Sequence, residues 1–201
     1  ARCPVGRLGC PCRVATGPAR LAGERVERLV ELAQLTLTAG GPGPNGWPLA
    51  ERIGYETWTG QDTLVQHPDD PDVWMGGVGA LDALPEEVTA VVSLCLVGSA
   101  QVPKGVEHVV FRLIDRPEPE QNPNLDFVIR DAARTVAALR DEGHVVLVHC
   151  VAAQSRTPTV GIAYAVLRGV DVDTATKGVC SALPAASPNL GFRSVLLGMV
   201  G

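Results

Sequence analysis

Two kinds of hydrophobic pattern divide this chain into predicted strands and helices. Short apolar, largely β-branched runs, which are typical of buried strands, occupy residues 73–75, 89–95, 109–114 and 145–148. Helices are predicted over residues 18–38, 124–140, 157–167, 174–183 and 189–199, with a brief helix near 80–84. From residue 73 onward strands and helices alternate. This order predicts an α/β fold, with a compact and mostly parallel central sheet flanked by helices.

The chain is predicted to consist of an N-terminal extension, residues 1–72, and a compact domain, residues 73–201. In the extension, the amphipathic helix 18–38 is expected to pack on the domain, and its alternative role is to dock another domain. The Gly/Pro-rich stretch 40–48 is typical of a linker or an irregular loop. Residues 47–71 have no regular periodicity and are expected to form an irregular extension.

Composition narrows the functional classes. A hydrophobic content of 46% and a mean hydropathy of +0.15 indicate a well-packed globular protein. The net charge of −5 disfavours general affinity for nucleic acid or for anionic membranes, since both bind basic surfaces. Two lysines against fifteen arginines, with abundant Ala, Gly and Val, are typical of a GC-rich bacterial genome.

The six cysteines do not have the spacing of a secreted disulfide framework, which favours a reducing, cytoplasmic compartment. Cys3, Cys10 and Cys12 lie close together near the start. Structural zinc sites use four ligands in closely spaced pairs, whereas these three thiols have a Cys-x-Cys spacing and no nearby histidine. A loosely ordered tail is therefore favoured over a metal site, and neither a metal nor a cofactor is predicted.

The candidate chemistry lies where strand 145–148 meets the following helix. His149 and Cys150 end the strand, five mostly small or neutral residues follow, and Arg156 precedes the helix. Backbone N–H groups converge at such a turn and the helix dipole adds positive potential, so it can bind an anion. Cys150 should be held there as a thiolate, and the guanidinium of Arg156 can bind two phosphate oxygens. The alternative is an inert buried cysteine beside a surface arginine, which leaves the arginine at this turn unexplained.

With His149 before it and Thr157 after it, this Cys-x5-Arg sequence resembles the phosphate-binding loop of the cysteine-dependent protein phosphatases, in particular the compact dual-specificity branch. The resemblance implies hydrolysis of phosphotyrosine, phosphoserine or phosphothreonine through a cysteinyl-phosphate on Cys150. It implies that Thr157 donates its hydroxyl to the sulfur, and that His149 braces the loop and is not a base. The phosphate would be bound by Val151, Ala152, Ala153, Gln154, Ser155 and Arg156.

The resemblance also requires a carboxylic acid that protonates the leaving oxygen. Asp115 fits best, because it ends a predicted strand and precedes the helix that leads to the nucleophile's strand. Its alternative role is to cap local amides at the end of that strand. Asp126 is the second candidate, although acidic residues are expected in the first turn of a helix, and Glu118 and Glu120 rank below it.

One loop position departs from the family pattern. Family members usually have Gly three residues after the cysteine, where this chain has Ala153. If the loop needs a left-handed backbone there, Ala costs about 1–2 kcal/mol of strain. The residues Val151, Ala152, Ala153 and Gln154 bring no positive charge, which suits a substrate with one phosphate. A small phosphorylated metabolite is the alternative to a phosphoprotein.

Cys95 ends a predicted strand on the side of the sheet where the nucleophile is expected. Phosphatases of this kind can form a reversible disulfide between the nucleophile and a second cysteine, so Cys95 is a candidate redox partner of Cys150. The alternative, which is favoured, is that Cys95 packs as a small hydrophobic residue.

Two other functional classes are consistent with a loop cysteine. The chain could bind phosphoproteins with little turnover, or it could be a rhodanese-like sulfurtransferase, which needs no acid. The combination of Cys150, Arg156 and an acid disfavours the first, and the His-Cys and Arg-Thr pairs disfavour the second. The non-Met start resembles the C-terminal part of larger bacterial proteins that begin with an ADP-ribosylglycohydrolase-like domain. Attachment to, or docking on, such a domain is therefore a further expectation.

Overall fold

The computed structural model describes residues 39–42, 48–50, 52–55, 60–98 and 100–199. These residues all fall in one compact unit, Thr38–Gly201. The predicted helix 18–38 and the three cysteines near the start, Cys3, Cys10 and Cys12, lie outside the described residues.

A five-stranded sheet forms the centre of the fold and confirms the predicted α/β class. Its strands are β3 (Leu64–His67), β4 (Asp70–Gly76), β5 (Ala90–Ser93), β6 (Glu107–Val110) and β7 (Val146–His149), in the spatial order β3-β4-β7-β5-β6. The pairs β4–β7, β7–β5 and β5–β6 are parallel, and only β3 runs antiparallel to its neighbour. Because β7 is the central strand, the residue that follows it lies in the middle of the sheet's carboxyl edge.

The sheet begins earlier in the chain than residue 73. β3 and the start of β4 both lie in the stretch 47–71, for which no regular structure was expected, and residue 73 falls inside β4. The predicted linker at 40–48 is also corrected, because β1 (Ala39–Pro42) and β2 (Pro48–Ala50) pair as a small antiparallel sheet. Gly and Pro dominate these two strands, so they lack the apolar alternation that signals a strand.

The predicted strand 109–114 is wrong beyond Val110, where β6 ends. Among the described residues, β6 is an edge strand that pairs with β5, and β5 ends at Ser93. The Phe111 amide donates a bond to the Ser93 carbonyl at 2.8 Å, and no described strand continues the ladder beyond it. Asp115 therefore lies on an irregular segment and not at the end of a strand.

Four α-helices lie among the described residues: α1 (Leu125–Asp141), α2 (Arg156–Leu167), α3 (Val172–Ala182) and α4 (Leu190–Leu197). Asp171 and Asn189 cap α3 and α4 by accepting the amides of Thr174 and Phe192. Helix α2 begins at Arg156, so Pro158 is its third residue and not its first. Proline is tolerated there because amides of the first turn need no intrahelical partner.

The two faces of the sheet pack into separate apolar clusters. One face is covered by helices, through buried residues such as Ile129 of α1, Ile162 of α2 and Phe192 of α4. On the other face, Val91 and Leu147 pack against a 3-10 turn at Val78–Leu81. Since the central strands are buried on both sides, the sheet is a rigid support for its carboxyl edge. Within the described ranges, no helix is long and apolar enough to cross a membrane.

Candidate active site

Cys150 follows β7 directly and opens a loop that leads into α2. Its amide donates to the carbonyl of Gly76 at the end of β4, at 3.3 Å, and the Val151 carbonyl accepts the Val78 amide at 3.0 Å. On the far side, the Gln154 carbonyl accepts the Ser187 amide at 2.6 Å. The loop is thus tied to β4 and to the α3–α4 connection, with the N-terminus of α2 behind it.

A cavity of about 470 Å³ opens over this loop. Its lining residues are Tyr55, Asp115, Arg116, Cys150, Val151, Ala152, Gln154 and Arg156. Cys150 is only 2% exposed, but it lies at the wall of this cavity and so is not enclosed by hydrocarbon alone. The structure therefore brings together the predicted nucleophile, arginine and acid, which are up to 41 positions apart in the chain.

Backbone carbonyls from two segments, one after β5 and one after β6, hold the side chain of Arg156. Its Nη1 donates to the carbonyls of Leu94 and Leu113, at 3.1 and 3.3 Å. Its buried Nε forms no hydrogen bond with the described residues and lies 3.6 Å from Oδ2 of Asp115. A buried donor without an acceptor is costly. The guanidinium of Arg156 lines the cavity, where it is suited to binding phosphate oxygens.

Asp115 is oriented by two side chains that belong to other elements. Its Oδ1 accepts from the Ser155 hydroxyl at 2.8 Å and from the side-chain Nδ2 of Asn189 at 2.9 Å. Among the alternatives, Asp126 forms an i,i+4 ion pair with Arg130 at 2.9 Å on α1. Neither Glu118 nor Glu120 lines the cavity. Among the described residues that line the cavity, Asp115 is thus the carboxylate that shares it with Cys150.

Thr157 and His149 lie behind the loop. The buried Thr157 hydroxyl donates to the Gly76 carbonyl at 3.1 Å, which is the carbonyl that also accepts the Cys150 amide. The bond expected from the family resemblance, to the sulfur, is therefore not the one this hydroxyl makes. His149 lies within hydrogen-bonding distance of the Ser93 hydroxyl and of the Cys150 carbonyl. Burial lowers the pKa of His149 to about 4, so the ring is neutral near pH 7.

The chain resembles known phosphatases in sequence and in structure. It is 35% identical over 131 residues to mouse dual specificity phosphatase 28, spanning 63% of this chain and 78% of that protein. It is 29% identical over 103 residues to dual specificity protein phosphatase 1 of Arabidopsis thaliana, spanning 51% of this chain and 52% of that protein. The crystal structure of human DUSP28 superposes with a TM-score of 0.61 at 27% identity, covering 71% of this chain and 96% of that one. No family model matches the chain.

This chain belongs to the dual-specificity phosphatase family. The predicted family and enzyme class are thereby confirmed: the protein is a cysteine-dependent phosphatase, and its substrates are phosphorylated.

The phosphatase loop contains a strained residue at Ala153. Its φ is +51°, in the left-handed region where side chains other than glycine are disfavoured. The left-handed backbone that the family's glycine suggested is thus present in this loop, with Ala153 in place of that glycine. Ala153 is 2% exposed and part of the helix-side core, so the surrounding packing holds it in place.

Cys95 lies two residues beyond β5, which ends at Ser93 and not at Cys95 as predicted, and it is near enough to Cys150 for their charges to interact. It is buried, and burial together with the negative charge of Cys150 raises its pKa to about 11, while Arg156 and a hydrogen bond with Tyr55 lower it. Cys95 is therefore a protonated thiol near neutral pH. Both cysteines are free thiols.

The cavity also contains a residue that sequence reasoning missed. Tyr55 donates its hydroxyl to the Leu96 carbonyl, and the neighbouring Ile53 amide donates to Oε1 of Gln101 at 2.8 Å. These bonds fasten residues 52–55 beside the site, where the Tyr55 ring forms part of the wall. Tyr55 lies in the stretch without periodicity, and a single aromatic residue there gives no signal of its destination.

Proposed function

We propose that this phosphatase hydrolyses phosphomonoesters through a cysteinyl-phosphate on Cys150. In the first step the thiolate attacks phosphorus, the P–O bond to the leaving group breaks, and Asp115 gives its proton to that oxygen. In the second step water attacks the cysteinyl-phosphate and gives a proton to Asp115, while the S–P bond breaks. Inorganic phosphate leaves and the thiolate is restored.

Arg156 and the loop amides hold the phosphoryl oxygens during both steps. Charge in the transition state is spread over these oxygens, so fixed donors stabilise it more than they stabilise the free substrate. The loop donors are the amides of Val151, Ala152, Ala153, Gln154, Ser155 and Arg156. Thr157 and His149 act behind the loop, where the hydroxyl of Thr157 secures the loop to β4 through Gly76.

The observation that carries this proposal is the shared cavity of Cys150, Arg156 and Asp115 at the centre of the sheet's carboxyl edge. Binding of a phosphoprotein without turnover would not need a carboxylate held by Ser155 and Asn189 beside the arginine. Sulfur transfer would not need one either. These contacts favour hydrolysis over both alternatives.

We propose phosphotyrosine, phosphoserine or phosphothreonine side chains as the substrates. The loop side chains that line the cavity, Val151, Ala152 and Gln154, are neutral, which supports a substrate with one phosphate in the loop. A small phosphorylated metabolite stays the alternative, and a panel of phosphopeptides and sugar phosphates separates the two.

The test is hydrolysis of p-nitrophenyl phosphate by the wild-type chain and by Cys150→Ser. We expect the variant to lose turnover entirely while Cys180→Ser, a change at a cysteine outside the cavity, retains it. Turnover by Cys150→Ser, or none by the wild type, would reject the proposal. Formation of thiocyanate from thiosulfate and cyanide would favour the sulfurtransferase instead.

The cellular setting is also a proposal. The free thiols of Cys95, Cys150 and Cys180 support a reducing, cytoplasmic location, and the composition supports a bacterial source. Because the net charge is −5, we propose that phosphorylated partners are recognised by the loop itself, and that the protein binds neither nucleic acid nor membranes. We also propose an ADP-ribosylglycohydrolase-like domain as an attached or docked neighbour. Cell fractionation and co-purification test these points.

A further inference from the structure

Three polar side chains connect the edge of the sheet to the loop. Ser93, His108 and His149 lie on three neighbouring parallel strands, β5, β6 and β7. The Ser93 hydroxyl is 2.6 Å from Nε2 of His149 and 2.9 Å from Nε2 of His108. Their strand register explains the contact, because His149 pairs with Ser93, while His108 lies two residues before the partner of Ser93 on β6. All three side chains therefore project from the same face of the sheet.

A single acceptor, the Cys150 carbonyl, sets the direction of the hydrogen bonds among Ser93, His108 and His149. Nδ1 of His149 is 3.3 Å from the Cys150 carbonyl, which can only accept, so Nδ1 carries the proton. Nε2 of the neutral His149 ring must then accept, and the Ser93 hydroxyl donates to it. Ser93 has no second proton, so Nε2 of His108 must donate to Ser93.

We infer that Ser93 and His108 are positioning residues that fix the tautomer of His149 and, through it, the first peptide unit of the phosphate-binding loop. The carbonyl of Cys150 and the amide of Val151 belong to one planar trans peptide, so they point in opposite directions. Holding that carbonyl on His149 turns the Val151 amide away from it, toward the loop's interior, where phosphoryl oxygens bind in the proposed function.

Within the described part of the chain, His108 is linked to the site through Ser93. It does not line the cavity, and its ring is half-buried at the edge of the sheet. Burial lowers the pKa of His108, while the charge of Glu107 raises it. Besides burial, the pKa of His149 is affected by its hydrogen bond with the Cys150 carbonyl and by the charge of Arg156. A proton gained by His108 would enter at Nδ1, so Nε2 would still donate to Ser93. The direction of the hydrogen bonds from His108 to Ser93 and from Ser93 to His149 therefore stays the same when His108 is charged.

Without His108, Ser93 would be free to reverse its bond. Its hydroxyl could then accept from a protonated Nε2 of His149, and that tautomer has no proton with which to hold the Cys150 carbonyl. Two tautomers of His149 would coexist, and the first peptide of the loop would be held for only part of the time.

The test compares His108→Phe, which removes the donor, with His108→Gln, whose amide can still donate to Ser93. Isotope-labelled histidine gives nitrogen shifts for the four histidines, so the tautomer of His149 is read directly. We expect the Nδ1-protonated form alone in the wild type and in His108→Gln, and a mixture of tautomers in His108→Phe. A single Nδ1-protonated form in His108→Phe would overturn the inference.

The second readout is the rate at which iodoacetamide alkylates Cys150, together with kcat/KM. Both should fall about fivefold in His108→Phe, the effect of losing one modest hydrogen bond, and recover in His108→Gln. Unchanged rates in His108→Phe, or equal losses in the two variants, would contradict a positioning role. The inference rests on the proposed function for its effect on turnover, but the tautomer measurement does not, so the two can fail separately.

Discussion

The side chain of Asn189 holds the carboxylate of Asp115 and caps helix α4 at the same time. Its Nδ2 donates to Oδ1 of Asp115 at 2.9 Å, and its Oδ1 accepts the Phe192 amide at 3.0 Å. The N-cap of α4 is therefore coupled to the orientation of the proposed acid. Since one amide performs both tasks with different atoms, the two can be separated by substitution.

We predict that Asn189→Asp lowers turnover while it keeps the cap of α4. Aspartate caps a helix as well as asparagine does, but its carboxylate repels Asp115 and has no proton to donate. We expect kcat to fall about tenfold on a phosphothreonine peptide, whose poor leaving group depends on the acid. The loss should be smaller on p-nitrophenyl phosphate, whose leaving group needs little protonation.

Asn189→Ala is the matched control, because it removes both the cap and the donor. It should lower the free energy of unfolding by about 1 kcal/mol through loss of the cap, which Asn189→Asp keeps. If Asn189→Asp has wild-type kcat on the phosphothreonine peptide, the contact between Asn189 and Asp115 has no part in catalysis.

The strain at Ala153 predicts an unusual response to glycine. Replacing a buried alanine by glycine loses about 0.8 kcal/mol of burial and about 0.4–1 kcal/mol through the more flexible unfolded chain. At Ala153 the relief of the left-handed backbone, about 1–2 kcal/mol, offsets these losses. We therefore expect Ala153→Gly to be nearly neutral in urea unfolding.

Ala152→Gly provides the comparison one residue away. Ala152 is also buried, but Ala153 is the only residue other than glycine with a positive φ among the described residues, so no relief is available at Ala152. We expect Ala152→Gly to lower the free energy of unfolding by about 1–2 kcal/mol. Equal losses in the two variants would mean that the backbone at Ala153 is not strained.

The place of Cys150 at the carboxyl edge of the sheet could be predicted from the order of elements, because parallel strands present their carboxyl ends at one edge. Asp115 reaches the same cavity on the irregular segment after β6, and not as the end of a strand. β3 could not, since Leu64–His67 has no apolar alternation and is defined by its pairing with β4. The contacts of Ser93 with His108 and His149 depend on the register of three strands, which strand patterns alone do not give. The exact end of β6 likewise depends on where β5 ends.

We predict that peroxide links Cys95 to Cys150. Peroxide would oxidise the Cys150 thiolate to a sulfenic acid, and attack by the sulfur of Cys95 would then form the disulfide and release water. Burial and the negative charge of Cys150 raise the pKa of Cys95 to about 11. Oxidation of Cys150 to the neutral sulfenic acid removes that charge, which favours the thiolate of Cys95 that attacks. Mass spectrometry of peroxide-treated protein should detect the Cys95–Cys150 peptide, and reductant should restore activity.

Cys95→Ser should have nearly wild-type turnover before oxidation but should lose it irreversibly in peroxide, as Cys150 proceeds to sulfinic acid. Cys180→Ser, at a half-buried cysteine on α3, should behave as the wild type does. Absence of the crosslink would leave Cys95 with the packing role that its burial in the core also explains.

The low pKa of His149 predicts how stability depends on pH. The ring has a pKa of about 4 in the folded chain against an ordinary value near 6.5, so the unfolded chain binds more protons between these values. Stability should therefore fall as the pH falls from about 6.5 toward about 4, by on the order of 3 kcal/mol from this residue. His67 and His108, whose pKa values burial also lowers, act in the same direction.

Urea unfolding at about pH 7 and about pH 4.5 measures this dependence, and His149→Gln isolates the contribution of the ring. The variant will be less stable than the wild type at neutral pH, because Ser93 and the Cys150 carbonyl lose their partner. Its loss of stability between the two pH values should nevertheless be clearly smaller, since glutamine does not titrate. If wild type and variant lose the same amount on acidification, His149 is not the buried neutral ring that secures the loop.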